Sequence, residues 1–521
     1  MKFLALVLLL FSTFSCQSQP GTKERSQSLR VNILSDPKTI DPRKTRDLNE
    51  RALTQMLFDG LMRVGQDGKS TCALAKNVSV DSTGTRYVFH LKEAFWTNGD
   101  RIRPKDFIYA WQTALSPQFP SENAYQLFCI KNAEEIKKGL KPPEELAALE
   151  IDENTLQIDL VRPVPYFLEL LSFSIFFPVH EKMDSSLSWS GENSDSFISC
   201  GPFALSSWKH NNFIEVVKNS SYWDEKNVFL ESLYMTMVTE DTEVRMFEKG
   251  ELDFAGSPLS ALPVDLLQEL KGKNLCFFPF LATAFFRINT EKYPLNNVDL
   301  RRALALSINR QDLVDYVLQG GQEEALSLVP NSKVSFSPKV DIKNMQEEAK
   351  LLWSKNISIS PEKVTLLYAS NQKNHLVAQA IQHNWKEVLG IEVILEASEP
   401  KVYYSRLNAK DYQIALGSWV ADYNDPESFL EVFKHKNAST NNTQWESSSY
   451  IHSLDLANKQ TGLEREKTLL ECESHLLKEM PIIPIYHLKG LYLKNEHLKG
   501  IVISPIGNID FKWAYMDYPE K

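Results

Sequence analysis

Residues 364–395 read VTLLYASNQKNHLVAQAIQHNWKEVLGIEVIL and carry the clearest secondary-structure pattern in the chain. The apolar run 364–368 predicts a buried strand, and 391–395 predicts a second one. Between them, apolar residues recur at helical spacing over 376–388, and Gly390 is placed to end the helix. A strand, an amphipathic helix and a strand form a βαβ unit. We therefore expect two parallel strands, a right-handed crossover and an α/β fold.

Further elements are predicted on the amino-terminal side of this unit. Alternating strands joined by turn residues predict β-hairpins at 78–91, 149–160 and 205–217. A helix is predicted over 104–115, with a proline suited to its first turn. A second amphipathic helix is predicted over 300–318. The chain therefore mixes hairpins with a parallel unit.

Length and composition limit the class of protein. A chain of 521 residues is too long for one ordinary core, so we expect two or three lobes. Hydrophobic residues make up 43% and charged residues 24%, which excludes disorder over most of the length. The 57 basic and 67 acidic side chains give a formal charge of −10, which does not favour nucleic-acid binding.

The amino terminus has the features of a secretory signal. A basic residue precedes an apolar run at 3–11 that is far too short to span a bilayer. Cys16 resembles the lipid-modified cysteine of a bacterial lipobox, although Thr13 stands where leucine is usual. We predict a signal peptide over 1–16, lipidation at Cys16 and a polar tether over 17–28. Cleavage without lipidation is the alternative.

Common catalytic and cofactor motifs are missing from the sequence. It contains no glycine-rich phosphate loop, no H-E-x-x-H and no G-x-S-x-G. The cysteines beyond Cys16 are too widely spaced for a zinc site, and His375 and His383 do not form a ligand signature. We expect no enzyme activity, no cofactor and no metal. A secreted hydrolase that uses carboxylates is the alternative.

Several segments, in order along the chain, carry one family pattern. They are TIDP (39–42), MLFDGL (56–61), FWTNGD (95–100), GPF (201–203), NSSYWD (219–224), DLRRALALSINR (299–310) and WVADYNDP (419–426). Together they resemble the bacterial extracellular solute-binding proteins of the oligopeptide- and dipeptide-binding family. That family supplies solutes to ABC importers.

The resemblance implies a fold and its divisions. The fold is α/β, with the two lobes of a periplasmic-binding-protein (Venus flytrap) fold and an additional inserted domain. The implied divisions are lobe I over 29–58, 183–285 and 490–521, the inserted domain over 59–182, and lobe II over 286–489.

The resemblance also implies a function. Such a protein captures short peptides between two closing lobes and delivers them to the permease subunits of an ABC importer. It is expected at the periplasm or cell surface as a monomer, held to a membrane through the lipid at Cys16. The alternatives are the same fold with another solute (a dipeptide, glutathione, haem or nickel) and a surface receptor or host-interaction protein.

The candidate ligand contacts follow from the same resemblance. Asp422 is expected to pair with the amino terminus of a peptide and Trp419 to flank its backbone, with Ser418 and Tyr423 beside them. At other family contact positions this chain departs from the pattern. Those positions hold Arg46, Leu48, Asn123, Tyr125, Asn374, His375 and Leu416. Leu416 stands where relatives have an arginine for the peptide carboxyl end, so a changed length preference, or Arg46 as the new carboxylate partner, is our hypothesis.

Overall fold

The structure is a computed structural model. It describes residues 27–185, 189, 194–272, 275–337, 341–356, 358 and 363–519. Cys16, the signal peptide and most of the predicted tether lie outside these ranges. The first strand begins at Ser28, which is the last residue of the predicted tether.

The main strands are numbered in chain order. They are β1 Ser28–Asn32, β2 Met62–Val64, β3 Ser70–Cys72, β4 Ala75–Val80, β5 Arg86–Leu91, β6 Ala148–Asp152, β7 Thr155–Asp159, β8 Phe203–Lys209, β9 Phe213–Lys218, β10 Ser232–Thr236, β11 Phe254–Gly256, β12 Leu275–Ile288, β13 Glu323–Glu324, β14 Lys363–Ala369, β15 Glu392–Ser398, β16 Ile414–Val420 and β17 Ile482–Lys494.

The α-helices are numbered in the same way. They are α1 Leu48–Leu57, α2 Pro104–Leu115, α3 Ala133–Lys137, α4 Phe167–Leu170, α5 Lys182–Ser185, α6 Glu240–Glu248, α7 Leu267–Leu270, α8 Val298–Leu306, α9 Arg310–Asp312, α10 Ile342–Lys355, α11 Gln372–Leu389, α12 Pro400–Asn408, α13 Glu427–Leu430, α14 Ser448–Ala457 and α15 Gly462–Glu479.

Three sheets organise the described chain. A four-stranded sheet has the order β1-β10-β9-β8, and we call the region around it lobe I. A second four-stranded sheet, β4-β5-β7-β6, marks the inserted domain. Lobe II is built on a seven-stranded sheet with the path β11-β17-β12-β16-β14-β15 and with β13 beside β17. The fold is therefore α/β, as predicted.

The βαβ unit predicted at 364–395 is confirmed. β14 and β15 pair in parallel over their whole lengths, and α11 joins them. Gly390 ends the helix with φ 71°, a left-handed conformation that glycine adopts without steric cost. The three predicted hairpins are also present, as β4-β5, β6-β7 and β8-β9.

The predicted helix over 300–318 is wrong in one respect, because the structure breaks it in two. α8 ends at Leu306, and a new helical segment starts after Asn309. The Asn309 side chain accepts a hydrogen bond from the Asp312 N–H, so it caps the second segment. Apolar spacing alone does not reveal such an internal cap.

Two long strands, β12 and β17, lie side by side in the lobe II sheet. β17 pairs with β11 near its end and with β12 along most of its length. The predicted start of lobe II at residue 286 falls inside β12, and the domain boundaries stay predictions. No helix in the described ranges combines the length and apolarity of a membrane span. None of the five described cysteines forms a disulfide.

Glu243 is a buried acid on α6. Its side chain is fully buried, and Oε1 accepts hydrogen bonds from the Gly256 N–H (3.0 Å) and Ser260 Oγ (2.8 Å). Oε2 has no hydrogen-bond partner among the described atoms. Burial raises the pKa of this carboxyl from 4.5 to about 7.

We expect the Glu243→Gln variant to lose part of the pH dependence of stability. The folded protein binds this proton more tightly than the unfolded chain does, so the stabilisation is present below pH 4.5 and lost as pH rises to about 7. Urea midpoints at about pH 5 and about pH 7.5 measure the difference. The exposed Glu251→Gln is the control, and an unchanged pH dependence in Glu243→Gln would contradict the assignment.

Candidate functional site

The last residues of β16 form an open strand edge. β14 pairs with β16 only up to Ala415, whereas β12 pairs with it along its whole length. The Ala421 N–H donates to the Leu281 carbonyl at 2.8 Å, and main-chain groups alternate in direction along an antiparallel pair. The N–H groups of Ser418 and Val420 therefore point away from β12, toward the side that β14 does not reach.

Asp422 follows this edge directly and meets a tyrosine of the inserted domain. Tyr125 Oη donates a hydrogen bond to Asp422 Oδ2 at 2.8 Å. Burial raises the pKa of the Asp422 carboxyl, while the charge of Arg51 and the Tyr125 hydrogen bond act to lower it. A half-buried carboxylate in contact with both the inserted domain and lobe II is suited to hold a cation between them.

Ser428 orients the two residues that flank this edge. Its Oγ accepts a hydrogen bond from the Asp422 N–H at 2.7 Å. Its carbonyl accepts one from Trp419 Nε1 at 2.8 Å. Trp419 is half-buried and Ser418 is exposed. Hydrogen bonds to Ser428 thus fix the positions of Trp419 and Asp422.

Two arginines lie near the carboxylate. Arg46 forms an ion pair with Glu122, and both side chains are more than half exposed. Arg51 on α1 is half-buried, and its guanidinium makes no hydrogen bond or ion pair within the ranges the structure covers. Its charge acts on both Asp422 and Tyr125. Sequence reasoning missed Arg51, although its place three residues after Leu48 put it on the same face of α1.

Leu48 and Asn123 contact other loops: Leu48 lies beside Gly507, and Asn123 bonds the loop that carries Arg46. The Leu48 methyl groups lie close to Gly507, where an added β-carbon would sit 3.3 Å from them. Asn123 Nδ2 donates to the Thr45 carbonyl at 2.6 Å. The amide of Asn123 therefore holds the loop that carries Arg46.

Asn374 and His375 lie at the start of α11. Asn374 Nδ2 donates to the Ala369 carbonyl at 2.9 Å, and His375 Nδ1 is 2.7 Å from the Tyr368 hydroxyl. Both side chains thus have local partners. No described contact joins them to the Asp422 group.

Leu416 requires a correction. Its side chain is 4% exposed and belongs to the apolar core of lobe II, with residues such as Phe286 and Ile483. Its carbonyl accepts a hydrogen bond from the Tyr403 hydroxyl at 2.8 Å. Ala415, on the opposite face of β16, is buried in a second apolar cluster, so this part of the strand is covered on both faces. It is therefore not part of the candidate site.

A cavity of about 640 Å³ opens beside the start of α11. It is lined by residues of lobe II and by the segment of α7, and Gln268 Nε2 donates across it to Gln319 Oε1 at 2.5 Å. None of the residues predicted for the ligand site lines it. In the described chain, no three His, Cys, Asp or Glu side chains gather where they would hold a metal ion.

The fold has two lobes and an inserted domain, and a carboxylate lies beside an open strand edge. Together these features are those of a solute-binding protein. The chain matches the family described as bacterial extracellular solute-binding proteins, family 5 Middle, over residues 71–441. It belongs to this family.

Known relatives span nearly the whole chain. The oligopeptide-binding protein OppA of Bacillus subtilis is 34% identical over 94% of this chain and 92% of its own. The dipeptide-binding protein DppE of the same organism is 32% identical over 93% of this chain and 91% of its own.

Solved structures agree with the fold. Haemophilus influenzae OppA in complex with RPPGFSPFR is 26% identical, covers 95% of this chain and 100% of its own, and has a TM-score of 0.82. The Escherichia coli murein tripeptide binding protein MppA is 27% identical, with coverages of 95% and 99% and a TM-score of 0.83. The two-lobed fold implied by the sequence pattern is confirmed.

Proposed function

We propose that this chain is the substrate-binding component of an ABC importer, which captures short peptides between its lobes and delivers them to a membrane permease. The observation that carries the proposal is the Asp422 carboxylate at the end of an open strand edge. The relatives whose names state peptide binding support it.

The edge of β16 suits the main chain of an extended peptide. A peptide that adds to a strand edge gains main-chain hydrogen bonds whatever its sequence. No strand in the described chain pairs with the N–H groups of Ser418 and Val420 on the side away from β12, although the Ser418 carbonyl accepts a hydrogen bond from Arg287 Nη2 at 3.2 Å. Broad specificity follows, because bridging water can serve side chains that make no direct contact.

Asp422 supplies the charge that a free amino terminus requires. Burying an unpaired ammonium is costly, and a carboxylate at the end of the strand removes that cost. Trp419 flanks the peptide backbone and Tyr125 shares the carboxylate. The other proposed contacts are Ser418, Tyr423, Leu48, Arg46, Asn123, Asn374 and His375, to which we add Arg51.

The carboxyl end of the peptide is held differently from the family pattern. Leu416 is buried in the core, so no side chain at that position reaches a ligand. Arg46 is neutralised by Glu122, which weakens it as a partner for a carboxylate. Arg51 has no such partner in the part of the chain that the structure describes and is the better candidate. We infer that the length preference differs from that of a binder of tri- to pentapeptides.

Ligand released from the purified protein tests this function. We expect mass spectrometry after denaturation to detect short peptides of mixed sequence, with a length distribution that is not centred on three to five residues. The Asp422→Asn variant, prepared in parallel, should retain fewer of them. Release of haem, nickel or glutathione instead would contradict peptide binding, and a tri- to pentapeptide distribution would contradict only the altered carboxyl end.

The protein acts outside the cytoplasm, without catalysis and as a monomer, in this proposal. Lipid at Cys16 holds it to a membrane within reach of the permease subunits. Mass spectrometry of the mature amino terminus checks this point, because an unmodified terminus would exclude the lipid anchor.

A further inference from the structure

A polar contact joins the inserted domain to lobe II directly beside Asp422. Arg162 Nη2 donates to Glu427 Oε1 at 3.2 Å, and the Tyr166 hydroxyl donates to Glu427 Oε2 at 3.1 Å. The rings of Tyr166 and Tyr423 are stacked, with centroids 4.1 Å apart and an interplanar angle of 11°. We call Arg162, Tyr166, Tyr423 and Glu427 the Glu427 latch.

The two sides of the latch come from different parts of the fold. Arg162 and Tyr166 lie between β7 and α4 of the inserted domain, and Tyr423 and Glu427 follow β16 in lobe II. A further main-chain contact, from the Asn424 N–H to Glu169 Oε1 at 3.3 Å, runs alongside. These contacts exist only while the inserted domain rests on lobe II.

Glu427 keeps one charged partner when the inserted domain separates from lobe II. Its side chain is 2% exposed, and a buried carboxylate without a partner is strongly destabilising. Arg465 of lobe II also donates to Glu427 Oε2, at 2.9 Å, and binds Asp425 with its other donors. When the inserted domain moves away, Glu427 loses Arg162 and Tyr166 but keeps Arg465.

The latch residues of the inserted domain can also separate from lobe II without leaving a buried charge unpaired. The Arg162 side chain is 31% exposed, so water can reach it without a change of fold. Tyrosine phenols are neutral near pH 7, and burial raises the pKa of both Tyr166 and Tyr423 further. The stacked pair therefore carries no charge that repels on closing.

The latch shares a loop with the ligand anchor. Tyr423 is adjacent to Asp422 in sequence, and Asp422 itself contacts Tyr125 of the inserted domain. A ligand that settles on Asp422 fixes the same loop that presents Tyr423 and Glu427.

We propose that Arg162, Tyr166, Tyr423 and Glu427 are positioning residues that hold the inserted domain against lobe II and thereby set how long a bound ligand stays. They do so without reading the ligand's sequence. Apparent affinity falls in proportion to the population of the closed, binding-competent state. Weakening the latch lowers that population, so it lowers the affinity for every ligand by the same factor. Retention of a ligand rests on the proposed function, but closure itself does not.

The Arg162→Gln/Tyr166→Leu double variant tests the latch. At one tetraalanine concentration that partly saturates the wild type, small-angle X-ray scattering should show a larger radius of gyration for the double variant than for the wild type. The dissociation rate of tetraalanine should rise at least about ten-fold, with an association rate that is nearly unchanged. The ratio of affinities for tetraalanine and its N-acetylated form should stay constant, because Asp422 sets that ratio.

Controls separate closure from general damage. Arg86→Gln removes an exposed ion pair with Asp159 inside the inserted domain and should change none of these quantities. Arg162→Lys keeps the charge and should restore part of the slow dissociation. Should the double variant fail to fold, Tyr166→Phe, which loses one hydroxyl and keeps the ring stack, should give a smaller rise in the dissociation rate.

The outcomes are distinct. A radius of gyration and a dissociation rate equal to those of the wild type, in the double variant or in Tyr166→Phe if only that variant folds, would overturn the latch. A wild type that binds no peptide, neither tetraalanine nor peptides shorter than three or longer than five residues, would overturn the proposed function. The amount of co-purified ligand that the double variant retains, compared with the wild type, would then still decide the latch.

Discussion

Replacing Asp422 with asparagine should weaken the binding of a peptide with a free amino terminus by about 100-fold, or about 3 kcal/mol. The substitution keeps the shape and removes the charge that would compensate a buried ammonium. The acetylated form of the same peptide should bind the variant and the wild type about equally, because it has no ammonium to lose. Isothermal titration calorimetry with the two peptides measures the difference.

The control is Asp411→Asn on the same lobe, since that side chain is 69% exposed and pairs with Arg406. It should leave both affinities unchanged. Equal losses for the free and acetylated peptides in Asp422→Asn would show that Asp422 supports the loop and does not anchor the amino terminus.

Acidification should act on the same group. Burial raises the pKa of Asp422, so in the free protein its carboxyl takes up a proton at a higher pH than an ordinary aspartate does. Affinity for the free amino terminus should therefore start to fall at a higher pH, and this dependence should vanish in Asp422→Asn.

Sequence patterns predicted those elements of the fold that form within short segments of the chain. The βαβ unit at 364–395 and the hairpins depend on alternation, helical spacing and turn residues within short windows, and these patterns are visible in the sequence. The break between α8 and α9 was missed because an asparagine cap overrides a continuous apolar spacing.

The site was predictable only where one segment carries it. Trp419 lies near the end of β16 and Asp422 follows the strand by two residues, so one segment carries both, and the structure places them beside the strand edge. Leu416 is buried because other elements cover both faces of β16 at this position, and a short sequence segment does not show that cover. The contact between Tyr166 and Glu427 joins residues 261 positions apart, and no periodicity reports such a pair.

A buried charge cluster built on Arg63 joins the start of the predicted inserted domain to lobe I. Its Nη1 donates to Asp59 Oδ1 at 3.0 Å, and its Nε donates to Asp510 Oδ2 at 2.6 Å. Asp59 also accepts hydrogen bonds from Tyr222 and Trp223. The cluster joins the segment after α1 to the last residues of the chain.

We expect Arg63→Met to destabilise the protein by about 3–5 kcal/mol, because it leaves two buried carboxylates without their cation. Urea unfolding followed by tryptophan fluorescence measures the shift in midpoint for the transition that includes lobe I. Arg86→Met, at an exposed ion pair, should cost at most about 1 kcal/mol.

A triple variant separates charge from packing in this cluster. Asp59→Asn and Asp510→Asn added to Arg63→Met remove both orphaned charges, so the triple variant should be more stable than Arg63→Met alone. If the triple variant is instead less stable by the sum of the single losses, the cluster stabilises lobe I mainly through its hydrogen bonds and shape, and charge compensation contributes little.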